Sequence, residues 1–395
     1  MVARSRLLWA PLRPAVKFSF GPLWWARRAS PRRVVISSND SLLYVGLLNS
    51  CFALDRFRLF RRRQIFALIA ASSGWQNCML PQQIIEYCAS DGVRASFRLF
   101  PTADPDAPVV ICLPAMGVRG RYYSDFACLL SKSGFHVLTS DLRGIDSSSV
   151  RASRHCDFGY EEIINRNLPA LVEAARLRFP SNERLLLGHS LGGQLSALYL
   201  STHPDAARAL VLIAACNVYY RGWSGLGRLR VLRTAMLLRT LGALLGYVPA
   251  GRIGFAGNEA RTLVVDWSNN AFTGRYVVAN SDHDYEACLS RLAKPVLAIS
   301  FELDRFAPRK SVENFICKLA SSSVTHRHFA ADDEALARVG HFDWAKRASA
   351  VVAAIRNWAD ERLSPNPDPI TGSEVVPTRH NLPNSRVGRL AGAAD

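Results

Sequence analysis

Residues 184–194, RLLLGHSLGGQ, limit what this chain can fold into more than any other stretch. An apolar run suited to a strand ends in Gly188-His189-Ser190-Leu191-Gly192, and LGGQLSALYLSTH then continues with helical spacing. A chain that passes from strand to helix in so few residues must turn sharply. Small flanking residues let the two backbones approach. Such a turn holds the serine in a strained conformation and aims the helix N-terminus at the space before it. The G-x-S-x-G pattern alone recurs by chance; the strand before it and the helix after it give it meaning.

The surrounding sequence repeats that alternation. VVICLP (109–114), FHVLTSDLRG (135–144), RALVLIAA (208–215), KPVLAISF (294–301) and the weaker VTHRHF (324–329) read as strands. YYSDFACLLSKSG (122–134), YEEIINRNLPALVEAARLRF (160–179, despite Pro169) and WAKRASAVVAAIRNWADERL (344–363) read as helices. Buried strands alternating with amphipathic helices predict an α/β chain: a mostly parallel central sheet with helices on both faces. Residues 216–290 break the alternation and predict a helical cap insertion, dividing a core of 79–215 and 291–363. Tyr219, Tyr220 and Trp223 in that insertion fit the lining of an apolar pocket and the cap's own core equally well.

Charge narrows the partners. The net charge is +17, but residues 1–78 hold 13 Lys+Arg and only two acids, Asp40 and Asp55, a net of +11. The rest is only mildly basic, so the chain loses its main claim to bind nucleic acid. Residues 1–78 show little periodicity and predict an extension outside the fold, with the functional chain starting near Met79. Membrane docking through that basic segment is an alternative, which its short apolar runs do not favour. Residues 364–395, rich in proline and polar side chains, predict a disordered tail. Nine cysteines without a CxxC pair, several in apolar runs, fit free thiols in a reducing cytoplasm, and no ligand cluster points to a metal. No apolar run reaches the roughly 18 residues of a spanning helix.

A serine hydroxyl at neutral pH needs a base, and the base needs an orienting acid. Serines on this kind of turn take those partners in the chain order Ser, acid, His. Asp304 follows KPVLAISF, at a strand end where sites assemble. Glu302 is its nearest rival; Asp284 is another, within the insertion. His341, in VGHFDW before the last helix, stands where the base belongs, and capping a helix is its plainer use. His189 packs beside the turn. The oxyanion formed on attack needs two backbone N–H donors. Leu191, next after the serine, is one; the loop Pro114-Ala115-Met116-Gly117 supplies the other, at Met116.

GHSLGGQ, the order Ser190–Asp304–His341 and PAMGVRGRYYSDFACLLSKSGFHVLTSDLRG together resemble the α/β-hydrolases. The resemblance runs from about Leu80 to Leu363. It is closest to the branch of monoacylglycerol lipases and lysophospholipases and to bacterial predicted hydrolases of that branch. It implies hydrolysis of an ester, thioester or amide, with no cofactor and no metal. The lipase branch carries His-Gly where this chain has Pro114-Ala115, which weakens transfer of substrate. The expected activity is cleavage of a small-molecule carboxylic ester with an apolar acyl group. Acyl transfer on the same triad and a binding protein that retains the fold are the alternatives.

Overall fold

The computed structural model describes residues 83–331 and 339–363. The expectations for residues 1–78 and 364–395 lie outside the described residues.

Two strands open the described chain, β1 (Gln83–Cys88) and β2 (Arg94–Phe100), paired antiparallel. In β2, Ala95, Phe97 and Leu99 point into the core while Arg94 and Arg98 do not, the period of two expected of a strand near a sheet margin. β3 (Val109–Leu113) leads to helix α1 (Ser124–Lys132) and β4 (His136–Ser140). A helical turn at Tyr160–Glu162 and a π-helical turn at Ile163–Asn167 then run into α2 (Leu168–Arg178). The widening has a cause in sequence. Pro169 has no N–H to give the Asn165 carbonyl, and Leu168 N–H reaches back five residues to Ile163.

β5 (Arg184–His189) passes directly into α3 (Leu191–Thr202), followed by β6 (Ala209–Ile213). The segment after β6 holds the long helix α4 (Leu226–Leu245), a small hairpin of β7 (Tyr247–Val248) and β8 (Glu259–Ala260), then α5 (Arg261–Thr273) and α6 (Tyr285–Arg291). β9 (Pro295–Phe301), α7 (Arg309–Ile316), β10 (Ser323–Phe329) and α8 (Ser349–Leu363) complete the chain. α6, at the end of the 216–290 stretch, packs on α3 with Tyr285 and Leu289 fully buried.

The eight main strands form one sheet in the order β1-β2-β4-β3-β5-β6-β9-β10. β1, β2 and β4 pair antiparallel; every pairing from β4 to β10 is parallel. The central strands are buried along their whole length, so each face needs its own cover. Ile111, Leu186, Leu210 and Val296 meet Leu195 and Leu198 of α3 and Leu171 of α2 on one face. Val110, Leu187, Val211 and Ile299 meet Phe126 of α1, Ile355 of α8 and Trp344 in the turn before α8 on the other. Among the described residues no helix is long and apolar enough to cross a membrane.

Candidate active site

Ser190 sits between β5 and α3 with φ 53° and ψ −117°, outside the conformations an L-residue ordinarily adopts. Glycines make the turn feasible. A Cβ on Gly192 would lie 2.5 Å from the carbonyl oxygens of Leu113 and Pro114, and one on Gly193 would lie 2.5 Å from Ala215 Cβ. A Cβ on Gly188 would run into the backbone of Gly192 and Gly193. Ser190 N–H donates to Ile213 O (3.0 Å), and Ser190 O accepts from the N–H groups of Gly193 (3.0 Å) and Gln194 (3.2 Å). The turn is thus clamped to the neighbouring strand and to its own helix.

Asp304 follows β9. Its Oδ1 accepts the backbone N–H groups of Phe306 (2.8 Å) and Ala307 (2.9 Å), and its Oδ2 lies 2.7 Å from His341 Nδ1. Both side chains are buried. A carboxylate so fixed holds the imidazole proton on Nδ1 and leaves Nε2 free to accept one. The His341 ring packs against His189 (4.7 Å between centroids), Phe342 (4.8 Å) and Phe306 (5.4 Å). Because His189 immediately precedes Ser190, that contact brings the His341 imidazole close to the turn. The hydrogen bonds of Ser190 among the described residues are all made by its backbone.

The loop after β3 abuts the elbow through the Gly192 contacts. Its Ala115 N–H is taken by the Tyr123 hydroxyl (3.1 Å), which leaves Met116 as the next amide along the loop. Leu191 is the first residue of α3, where a backbone N–H has no partner within its own helix. The Tyr123 hydroxyl accepts from Ala115, so its own proton goes to His189 Nδ1, 2.7 Å away. Burial, aided by the neighbouring His341, pushes the His189 imidazole well below its ordinary pKa and keeps it neutral. Tyr123 thereby ties the loop after β3 to the strand end that precedes Ser190. It was not recognisable in sequence, where it reads only as the start of a helix.

The segment between β6 and β9 reaches this loop. Ala256 N–H donates to Gly117 O (2.8 Å), and the Phe255 ring fills the space that a Cβ on Gly117 would need. Trp223 is buried and its Nε1 donates to Arg305 O (3.1 Å), beside Asp304. The rival acids are engaged elsewhere. Glu302 binds His328 Nε2 (2.7 Å), and His328 shares Ser300 Oγ with His326 at the sheet edge. Asp284 caps α6 through Ala287 N–H (3.2 Å). Among the described residues no group of three or more His, Cys, Asp or Glu is placed to hold a metal ion.

The comparisons with known proteins agree with this architecture. Residues 108–270 match the family model described as the alpha/beta hydrolase fold. Lysophospholipase L2 of Escherichia coli (strain K12) is 31% identical over 132 residues, which span 33% of this chain and 38% of that relative's length. The solved structure of DcsB in complex with its substrate analogue superposes with a TM-score of 0.50 at 17% identity, covering 71% of this chain and 98% of that one. The family match spans the Ser190 turn, and the strand order carries on beyond it on both sides. The chain therefore has the α/β-hydrolase fold and, within it, is similar to the lysophospholipases.

Proposed function

We propose that this protein is a serine hydrolase that cleaves a carboxylic ester with an apolar acyl group. The observation that carries this reading is the buried 2.7 Å bond between His341 Nδ1 and Asp304 Oδ2, beside the strained turn at Ser190. Ser190 Oγ attacks the ester carbonyl carbon and gives its proton to His341 Nε2. The carbonyl oxygen becomes an oxyanion that accepts the N–H groups of Met116 and Leu191. The bond to the alcohol then breaks, His341 returns the proton to the departing alcohol, and an acyl-enzyme remains. Water, deprotonated by His341, repeats the sequence and releases the acid. Asp304 orients the imidazole throughout and stabilises its charged form.

Similarity to a lysophospholipase is in keeping with an ester substrate. The apolar acyl group is supported by Phe306 and Phe342, large hydrophobic side chains exposed beside His341. A fluorophosphonate should label wild-type protein and leave the Ser190→Ala protein unlabelled. An ester panel of graded acyl length, run beside that variant, should show hydrolysis that needs Ser190 and improves with chain length. Labelling that persists without Ser190 would overturn the nucleophile. An acyltransferase would use the same residues with another alcohol in place of water. Free acid released in plain buffer decides for hydrolysis.

A further inference from the structure

We propose that α4 docks the protein on an anionic lipid surface, with its outward face in the headgroup region and the mouth of the active site turned toward the lipid. Leu226, Leu229, Met236, Leu237 and Leu244 are each at least 54% exposed. At 100° per residue they fall within an arc of about 100° on one side of the helix. The buried residues, Val231, Ala235 and Gly242, lie on the opposite side. The helix is thus seated on α5 by small side chains: a Cβ on Gly242 would already lie 3.3 Å from Val264. Leu238 and Leu241 pack partly against the core, while the five side chains of the outward row turn to solvent. A soluble protein seldom leaves a coherent row of this kind uncovered.

Charge selects the occupant. No Asp or Glu occurs anywhere in residues 206–258, whereas α4 alone carries Arg228, Arg230, Arg233 and Arg239. Arg228 binds Trp223 O (2.8 Å), Arg230 binds Arg305 O (2.7 Å) and Arg239 binds Asn269 Oδ1 (2.8 Å). These are neutral acceptors, so the positive charge stays uncompensated. A second copy of this face would set arginine against arginine. Residues 1–78, with 13 Lys+Arg against two acids, are no better matched. A lipid surface bearing phosphates satisfies both the apolar row and the guanidinium groups around it.

The surface also leads to the chemistry. The Arg230 guanidinium lies over the Phe306 ring (5.9 Å), Phe306 meets Phe342 (6.0 Å), and Phe306 lies 5.4 Å from the His341 ring. An amphiphile leaving the lipid could follow this apolar rim without crossing open water. Docking does not depend on the catalytic reading, because a protein that cannot react should still dock.

The test is co-sedimentation of the full chain carrying Ser190→Ala with vesicles of phosphatidylcholine, alone or mixed with phosphatidylglycerol. Binding should be strong only to the mixed vesicles and should weaken with salt. The triple variant Leu229→Ser, Met236→Ser, Leu237→Ser should bind at least ~10-fold more weakly. Arg233→Gln and Arg239→Gln should each cost about fivefold. Melting temperatures equal to the parent's show that the variants are folded, and the arginine changes carry the test alone if the triple variant is not. Three outcomes overturn the proposal: no binding to mixed vesicles, binding that none of the α4 changes weakens, or α4 changes that alter only the oligomeric mass. The last would assign the face to a second copy of the chain.

Discussion

Helices α3 and α4 are both leucine-rich, yet ten of the 12 residues of α3 are buried and only three of the 20 of α4. α3 lies between the sheet and α6, closed in on every side, and its glycines serve the sharp turn at its start. α4 touches the body of the protein along a line of buried Val231, Ala235 and Gly242, flanked by the partly buried Leu238 and Leu241. Leucine content does not distinguish the two. What decides burial is where the small residues fall, because they set how closely a helix can approach its neighbour. One helix is fixed by packing and follows directly on the turn at Ser190. The other has apolar area to spare, which packing does not use.

The largest effects belong to the region around α3. Ser190→Ala and His341→Ala should each lower kcat by at least ~10³-fold in a steady-state ester assay, as expected of groups that act as a unit. Asp304→Asn should be less severe by about one to two orders of magnitude, and Glu302→Gln should leave kcat unchanged. The reverse pattern for the two acids would transfer the orienting role to Glu302. Next in size is packing. Leu198→Ala, in the core beside the sheet, should cost about 2–5 kcal/mol in denaturant unfolding. A loss under ~1 kcal/mol would mean that α3 is less rigidly held than its burial indicates.

A third difference concerns pH and sits beneath the α4 region, in β8. Burial raises the Glu259 carboxyl from 4.5 to about 8. Between those values the folded state keeps a proton that the unfolded chain has lost, so this residue's contribution to stability falls as pH rises from about 4.5 to about 8. Glu259→Gln removes that decline. The variant should gain on wild type between pH 5 and pH 8 in denaturant midpoint, and parallel curves would show that Glu259 ionises freely. The smallest effect is expected at Leu237→Ser on the outward face of α4, within about 0.5 kcal/mol of wild type. A loss comparable to that of Leu198→Ala would erase the contrast between the two helices.

The central strands and the turn at Ser190 were legible because their signals are local. VVICL, ALVLI and PVLAISF have no polar face, and the strand, serine and helix are contiguous. Chain order and strand ends singled out Asp304 and His341, whose side chains the structure places 2.7 Å apart. β1 and β2 were not picked out as strands, because Glu86 interrupts the apolar run of β1, Arg94 and Arg98 interrupt that of β2, and no parallel-sheet rule covers an antiparallel margin. Tyr123 stayed hidden because its partner His189 is 66 residues away and nothing local marks the contact. The face of α4 was illegible for a different reason. Its apolar residues run nearly all the way round, so period alone allows either side to be buried, and only the neighbouring α5 decides.

The backbone of Ser190 has a consequence for how this protein tolerates change. Holding a side-chain-bearing residue at φ 53° and ψ −117° costs about 1–3 kcal/mol. Glycine would bear the same geometry at little cost, so Ser190→Gly should relieve the turn while removing the hydroxyl. With Ser190 as the proposed nucleophile, thermal robustness and turnover pull in opposite directions at a single position. A variant library sorted only for heat resistance would drift toward silence here, and one sorted for turnover must keep a fault line in its most rigid layer.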